Sequence, residues 1–118
     1  QTRRKEDLMK AYAQAIDLKN NPETIKKYKE YHANVWPEVL GALKDLGIER
    51  MRIWLVGTRM FMLMETSDDF EPGSLMDYAK RNPRADEWNE LMMQFQVKVP
   101  GAKPEEWWAE MELVFDSN

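Results

Sequence analysis

No cysteine occurs in the 118 residues. Disulfides, thiolate chemistry, zinc ribbons and iron–sulfur clusters are therefore excluded. Histidine is nearly as scarce, with one residue, His32. A site built from several imidazoles would need several chains. Long hydrophobic runs are missing too. The longest stretch of large apolar residues, Met60-Phe61-Met62-Leu63-Met64, falls far short of the roughly 20 residues of a membrane span. No excess of positive charge exists. Lysine plus arginine number 17 against 21 aspartates and glutamates, a net charge of −4 and a pI near 5.1. Such a chain cannot neutralise a phosphate backbone, so nucleic acid is a poor partner. No P-loop, dinucleotide fingerprint or Gly-x-Ser-x-Gly is found. The start, Gln1-Thr2-Arg3-Arg4-Lys5-Glu6-Asp7, is not a secretory pattern, and a soluble cytoplasmic protein is expected.

The remainder is ordinary globular composition, 43% hydrophobic and 32% charged, at a length that suits one domain. Residues 1–8 are polar and read as a flexible lead-in, leaving 9–118 as the folded unit. Residues 9–18 suit a strand, with Tyr12, Ile16 and Leu18 on one face and Ala11, Ala13 and Ala15 on the other. Asn21-Pro22 then offers an N-cap oxygen and a first-turn residue that needs no amide partner. Ile25, Tyr28, His32, Val35 or Trp36, Val39, Leu43 and Leu46 recur at helical spacing. Pro37 disfavours helix at Trp36, which predicts a kink or break around 34–36. Gly47 is a natural stop. Two apolar strands, 48–56 and 59–66, flank a tight turn at Gly57-Thr58. A loop over 67–74 and a short helix over 74–81 follow. Asn82-Pro83 repeats the cap chemistry, and Trp88, Leu91, Met92 and Phe95 mark another amphipathic helix. A loop over 97–106 leads to a last strand over 107–115, with Ala109, Met111, Leu113 and Phe115 on one face.

Strand–helix–strand twice over gives a ferredoxin-like four-stranded antiparallel sheet, class α+β, with helices on one face. Yet both faces of the middle strands are apolar. Met51, Ile53 and Leu55 oppose Trp54 and Val56; Met60, Met62 and Met64 oppose Phe61 and Leu63. A sheet apolar on both sides needs two covers. The second cover is expected to be another copy, in a homodimer with sheets packed face to face.

Few side chains can carry chemistry. His32 alone has an ordinary pKa near neutrality, about 6.5. Tyr28 precedes it by four residues and Trp36 follows by four, so the three share roughly one helical side. They suit a pocket wall beside a broken helix, and equally an aromatic core stripe. The tryptophans Trp36, Trp54, Trp88, Trp107 and Trp108 can stack on a sugar or a flat ligand, or fill core. Trp107 and Trp108, if in a strand, face opposite sides. The nine methionines suit gap-filling better than metal ligation. Asp68, Asp69 and Glu71 match no calcium-loop spacing and read as a solvated turn.

The stretch Ile25-Lys26-Lys27-Tyr28-Lys29-Glu30-Tyr31-His32-Ala33-Asn34-Val35-Trp36-Pro37-Glu38 resembles the first-helix signature of the L-rhamnose mutarotase family. That signature has a tyrosine, a histidine four residues later, then Trp-Pro-Glu. Gly47, the Arg59–Glu65 strand, Trp88 followed by Met92, and a last strand ending near Phe115 fall in register, so the likeness spans about residues 10–116. The resemblance implies a dimeric α+β barrel of ferredoxin-like halves. It also implies interconversion of the α and β anomers of a 6-deoxy-L-hexose. On that likeness His32 is the catalytic acid/base and Tyr28 a sugar-contacting hydroxyl that can share the second proton role. Trp88 matches the first of two adjacent tryptophans in the rhamnose enzymes, and Trp88 or Trp36 would stack on the sugar or its 6-methyl group. The chain departs from the rhamnose enzymes at two sugar-contacting positions. Asn89 replaces the second of two adjacent tryptophans, and Met51 stands for a strand-two tyrosine. Those exchanges point to L-fucose rather than L-rhamnose. The reaction opens the ring, rotates C1–C2 and recloses it, with no redox group, nucleotide or metal among its requirements. The only implied partners are a monosaccharide and a second copy.

Two other readings fit parts of the sequence. A cofactor-free monooxygenase on the same barrel would use Asn34, Trp36 and Tyr28 on a flat aromatic substrate. A non-catalytic small-ligand-binding dimer would bind without turnover.

Overall fold

A computed structural model describes residues 10–71, 74, 77 and 81–118. The element order is β1 (Lys10–Leu18), α1 (Pro22–Ala33), α2 (Pro37–Asp45), β2 (Ile48–Val56), β3 (Arg59–Thr66), α3 (Pro83–Met93), β4 (Gln96–Val97) and β5 (Ala109–Glu110). The lead-in over 1–8 lies outside the described residues, as does most of the helix expected over 74–81.

Local chemistry sets the helix ends. Asn21 Oδ1 accepts from the amides of Glu23 and Thr24 at 2.8 and 3.3 Å, satisfying two donors that have no partner within the helix. Asn82 Oδ1 does the same for Ala85 N at 3.2 Å. The break expected at 34–36 is present. Trp36 is extended (φ −59°, ψ 136°), as a residue before proline prefers, and it serves as the N-cap of α2. Gly47 has φ +90°, and a Cβ there would run into Ser67 Oγ. Gly57 has φ +60° and turns the β2–β3 hairpin.

The sheet runs β2-β3-β1-β4, with β5 also on β1. Every pairing is antiparallel, and β1 meets β3 from Lys10↔Thr66 to Asp17↔Arg59. On one face Ile16, Leu18 and Met60 are buried with Tyr28, Trp88 and Met92 from the helices. Beside them Ile48, Met62 and Met64 pack with Phe70. The opposite face carries Ala11, Ala13 and Ala15, the half-buried Phe61 and Leu63, and the exposed Trp54 and Val56. Arg52 lies over Trp54, 5.1 Å from the ring centre, and donates to Glu65 at 3.1 Å. Among the described residues no helix packs on this face.

The C-terminal part departs from expectation. Val97, expected in a loop, forms β4 with Gln96, on β1 at Asp17 and Leu18. Two residues are too short to show an alternation that sequence could reveal. The last strand, expected over 107–115, is a ladder only at Ala109–Glu110. Its final bond is Met111 N to Ala13 O, 2.9 Å. Residues 112–118 then run clear of the sheet, with Leu113, Val114 and Phe115 each at least 75% exposed. Alternation specifies an extended chain, not the strand that pairs with it. Trp107 and Trp108 precede the ladder, so strand alternation does not part them, and both pack on the main core cluster.

Candidate active site

Tyr28 and His32 sit one turn apart on α1, so their rings meet. The centroids are 4.3 Å apart and the planes 25° from parallel. Trp88, from α3, meets the His32 ring edge-on at 5.3 Å. Trp36 reaches Trp88 at 5.1 Å, because the break before Pro37 swings its backbone off the helix. Arg84 covers the outer side of Trp36, its guanidinium carbon 3.9 Å from the ring centre. Glu87 accepts from Arg84 at 3.1 Å. Four of the expected site residues thus come together: Tyr28, His32, Trp36 and Trp88.

The hydrogen bonds decide protonation. His32 Nδ1 lies 3.0 Å from the Tyr28 carbonyl oxygen. A carbonyl only accepts, so Nδ1 carries the hydrogen and the neutral ring keeps its lone pair on Nε2. Burial holds the His32 pKa below its usual 6.5, partly offset by that backbone bond. At neutral pH the ring is an uncharged base. Burial also pushes Tyr28 up to about 12, against a smaller opposing effect of its hydrogen bond to Gln96. Its phenol stays protonated.

Gln96 was absent from the sequence-based site. It is a buried amide in an apolar setting, 5% exposed. Its Nε2 donates to Tyr28 Oη at 3.1 Å, and its Oε1 accepts from Trp107 Nε1 at 2.6 Å. The available signal was a lone amide between Phe95 and Val97. The loop over 98–106 that joins its two ends is tied by Lys98 Nζ, which donates to the carbonyls of Lys103 and Pro104, each at 3.0 Å.

A family model described as L-rhamnose mutarotase matches residues 11–117. The chain belongs to the L-rhamnose mutarotase family. As a member of that family it is a carbohydrate isomerase. An L-fucose mutarotase of Xanthomonas campestris is 33% identical over 109 residues, 91% of this chain and 87% of that one. A Dictyostelium discoideum protein described as UPF0734 is 47% identical over 111 residues, 91% and 89% of the two chains. The crystal structure of an L-rhamnose mutarotase from Formosa agariphila superposes with TM-score 0.67 at 22% identity, over 92% of this chain and 99% of that one. Tetracenomycin F2 cyclase of Streptomyces glaucescens, a type-II polyketide cyclase, gives 0.60 at 15%, over 92% and 97%. At such identities these two establish the fold, the expected α+β barrel type.

The other two expected site residues of this family member are Met51 and Asn89. Met51 pairs with Met64 across the hairpin and packs with the Ile48, Met62 and Phe70 group. Asn89 is half-buried on α3, directly after Trp88.

Proposed function

We propose that the chain interconverts the α and β anomers of a 6-deoxy-L-hexose, with His32 and Tyr28 as the proton-transfer pair. The observation that carries this reading is the Nδ1 bond of His32 to the Tyr28 carbonyl, which frees Nε2 as acceptor. His32 Nε2 takes the proton of the anomeric hydroxyl as Tyr28 gives its phenolic proton to the ring oxygen. The C1–O5 bond breaks and C1 becomes an aldehyde. After rotation about C1–C2, O5 attacks the other face of the aldehyde. Tyr28 recovers its proton from O5, and the His32 imidazolium protonates the carbonyl oxygen. Both side chains end as they began. Trp88 and Trp36 supply apolar surface for the sugar and its 6-methyl group.

L-Fucose is the preferred sugar on this reading. The support is the L-fucose mutarotase relative, together with Asn89 and Met51 in place of an indole and a phenol. The working protein is a cytoplasmic homodimer. A second copy covers the open face that carries Trp54, Phe61 and Leu63, where Arg52 Nε is enclosed without an acceptor among the described residues. Saturation-transfer NMR of anomeric protons tests the activity. Faster exchange for L-fucose than for L-rhamnose is expected, and a clear preference for L-rhamnose overturns the assignment. Exchange equal to the protein-free rate for both sugars removes the mutarotase reading.

A further inference from the structure

We propose that Gln96, locked by Trp107, is a positioning residue that sets the direction of the Tyr28 hydroxyl hydrogen. The inference rests on the mutarotase reading for its kinetic consequence, and on geometry alone for the polarity.

An indole nitrogen can only donate. The 2.6 Å contact from Trp107 Nε1 therefore fixes Oε1 as the Gln96 atom on that side. The amide cannot flip without placing two donors against each other. Nε2 must then face Tyr28 Oη, 3.1 Å away, and an amide nitrogen also only donates. Tyr28 Oη accepts. Its own hydrogen has no acceptor on Gln96 and is turned to another direction. A phenol that accepts from the protein and donates elsewhere is preset to give its proton to a sugar oxygen. With an acceptor in place of that amide nitrogen, the same phenol would donate inward.

The two ends of the relay sit on either side of the 98–106 loop. Gln96 is held by β4 on Leu18, and Trp107 lies two residues before β5 on Ala15. The ladders on β1 thereby align the amide with both partners. Of those two partners only Tyr28 titrates.

Gln96→Glu tests the polarity with nearly unchanged shape. The introduced carboxylate accepts from both Trp107 and Tyr28, so the phenolic hydrogen turns inward. At pH 8 anomer exchange is expected to fall at least tenfold in kcat, with KM for the sugar changed less than threefold. On acidification the carboxyl gains a hydrogen and can again donate to Tyr28, so exchange recovers toward wild type. Gln96→Leu, which has neither donor nor acceptor, shows no such recovery. A folded Gln96→Glu protein with the wild-type rate overturns the proposal. So do Gln96→Glu and Gln96→Leu with equal losses and parallel pH profiles. Should Gln96→Glu fail to fold, Trp107→Phe keeps an aromatic side chain, removes the indole donor and unlocks the amide. A several-fold loss of kcat at constant KM supports the relay, and an unchanged kcat overturns it. Proton–nitrogen NMR separates this from failure of the mutarotase reading. The wild-type Trp107 indole hydrogen should be shifted downfield and slow to exchange, whether or not any sugar turns over. A fast-exchanging, unshifted indole hydrogen in an active enzyme removes the relay alone. An inactive wild type removes the catalytic role and the mutarotase reading together.

Discussion

His32 is the chain's one imidazole, and burial with its bond to the Tyr28 carbonyl holds it as a neutral base at neutral pH. His32→Ala is expected to cut anomer exchange by about 10²–10⁴-fold, the usual worth of general acid–base catalysis. Alanine suits a helix, so the circular dichroism spectrum should stay as it is; a folded, fully active variant would exclude His32. Because burial lowers the His32 pKa, the acid limb of the rate profile should lie below pH 6.5. The sign follows for stability as well. The folded pKa is depressed, so this group's contribution is complete above about 6.5, its unfolded value, and is lost as pH falls toward the folded value. A limb centred above 6.5, in rate against pH, would contradict this. Tyr28→Phe should reduce exchange less than His32→Ala, since the ring stack survives. It should also destabilise the fold by about 1–3 kcal/mol, because Gln96 Nε2 is left buried without its acceptor. Urea unfolding with the same m-value and a lower midpoint is the check.

Elements were legible wherever their information is local. Asn21-Pro22 and Asn82-Pro83 start helices because cap oxygen and imide nitrogen act within one turn. Pro37 broke α1 from α2 through the steric restriction on Trp36. The hairpin was legible because β2 and β3 alternate and Gly57 supplies the positive φ. Partners were not legible. The alternation of Ala109, Met111, Leu113 and Phe115 is satisfied by any extended chain, and only Ala109 and Glu110 find β1. Gln96 was hidden for the same reason. Its meaning lies in Tyr28 and Trp107, 68 and 11 residues away, and no local pattern joins them. Of the site, the four rings were visible on α1, α3 and the break, and the amide behind them was not. Gly47 shows how tightly an element end can be specified. Gly47→Ala forces a side chain into left-handed backbone, which costs about 1–2 kcal/mol, and drives it against Ser67. A thermal midpoint several degrees lower is expected, and an unchanged one would mean the β2 entry relaxes freely.

At the scale of the molecule, one sheet face has its helices, and on the other Trp54, Phe61, Leu63 and Val56 have none among the described residues. Deleting residues 111–118 tests whether the arm belongs to the proposed dimer. Light scattering at micromolar concentration should show the intact chain at twice 14.0 kDa and the shortened one shifted toward a single copy. An intact chain at 14.0 kDa would mean the open face stays open.

The arm that leaves the sheet after Met111 has a further consequence. A segment with exposed apolar side chains and no ladder partner among the described residues cannot distinguish a partner that closes a pair from one that extends a row. Crowded together, chains with such ends are open to linking end to edge in strings. Glu112 and Asp116 punctuate the same stretch. Like charges repel when two such segments lie side by side, so arm-on-arm stacking is penalised. The sticky end and its insulation are written into one short stretch of sequence.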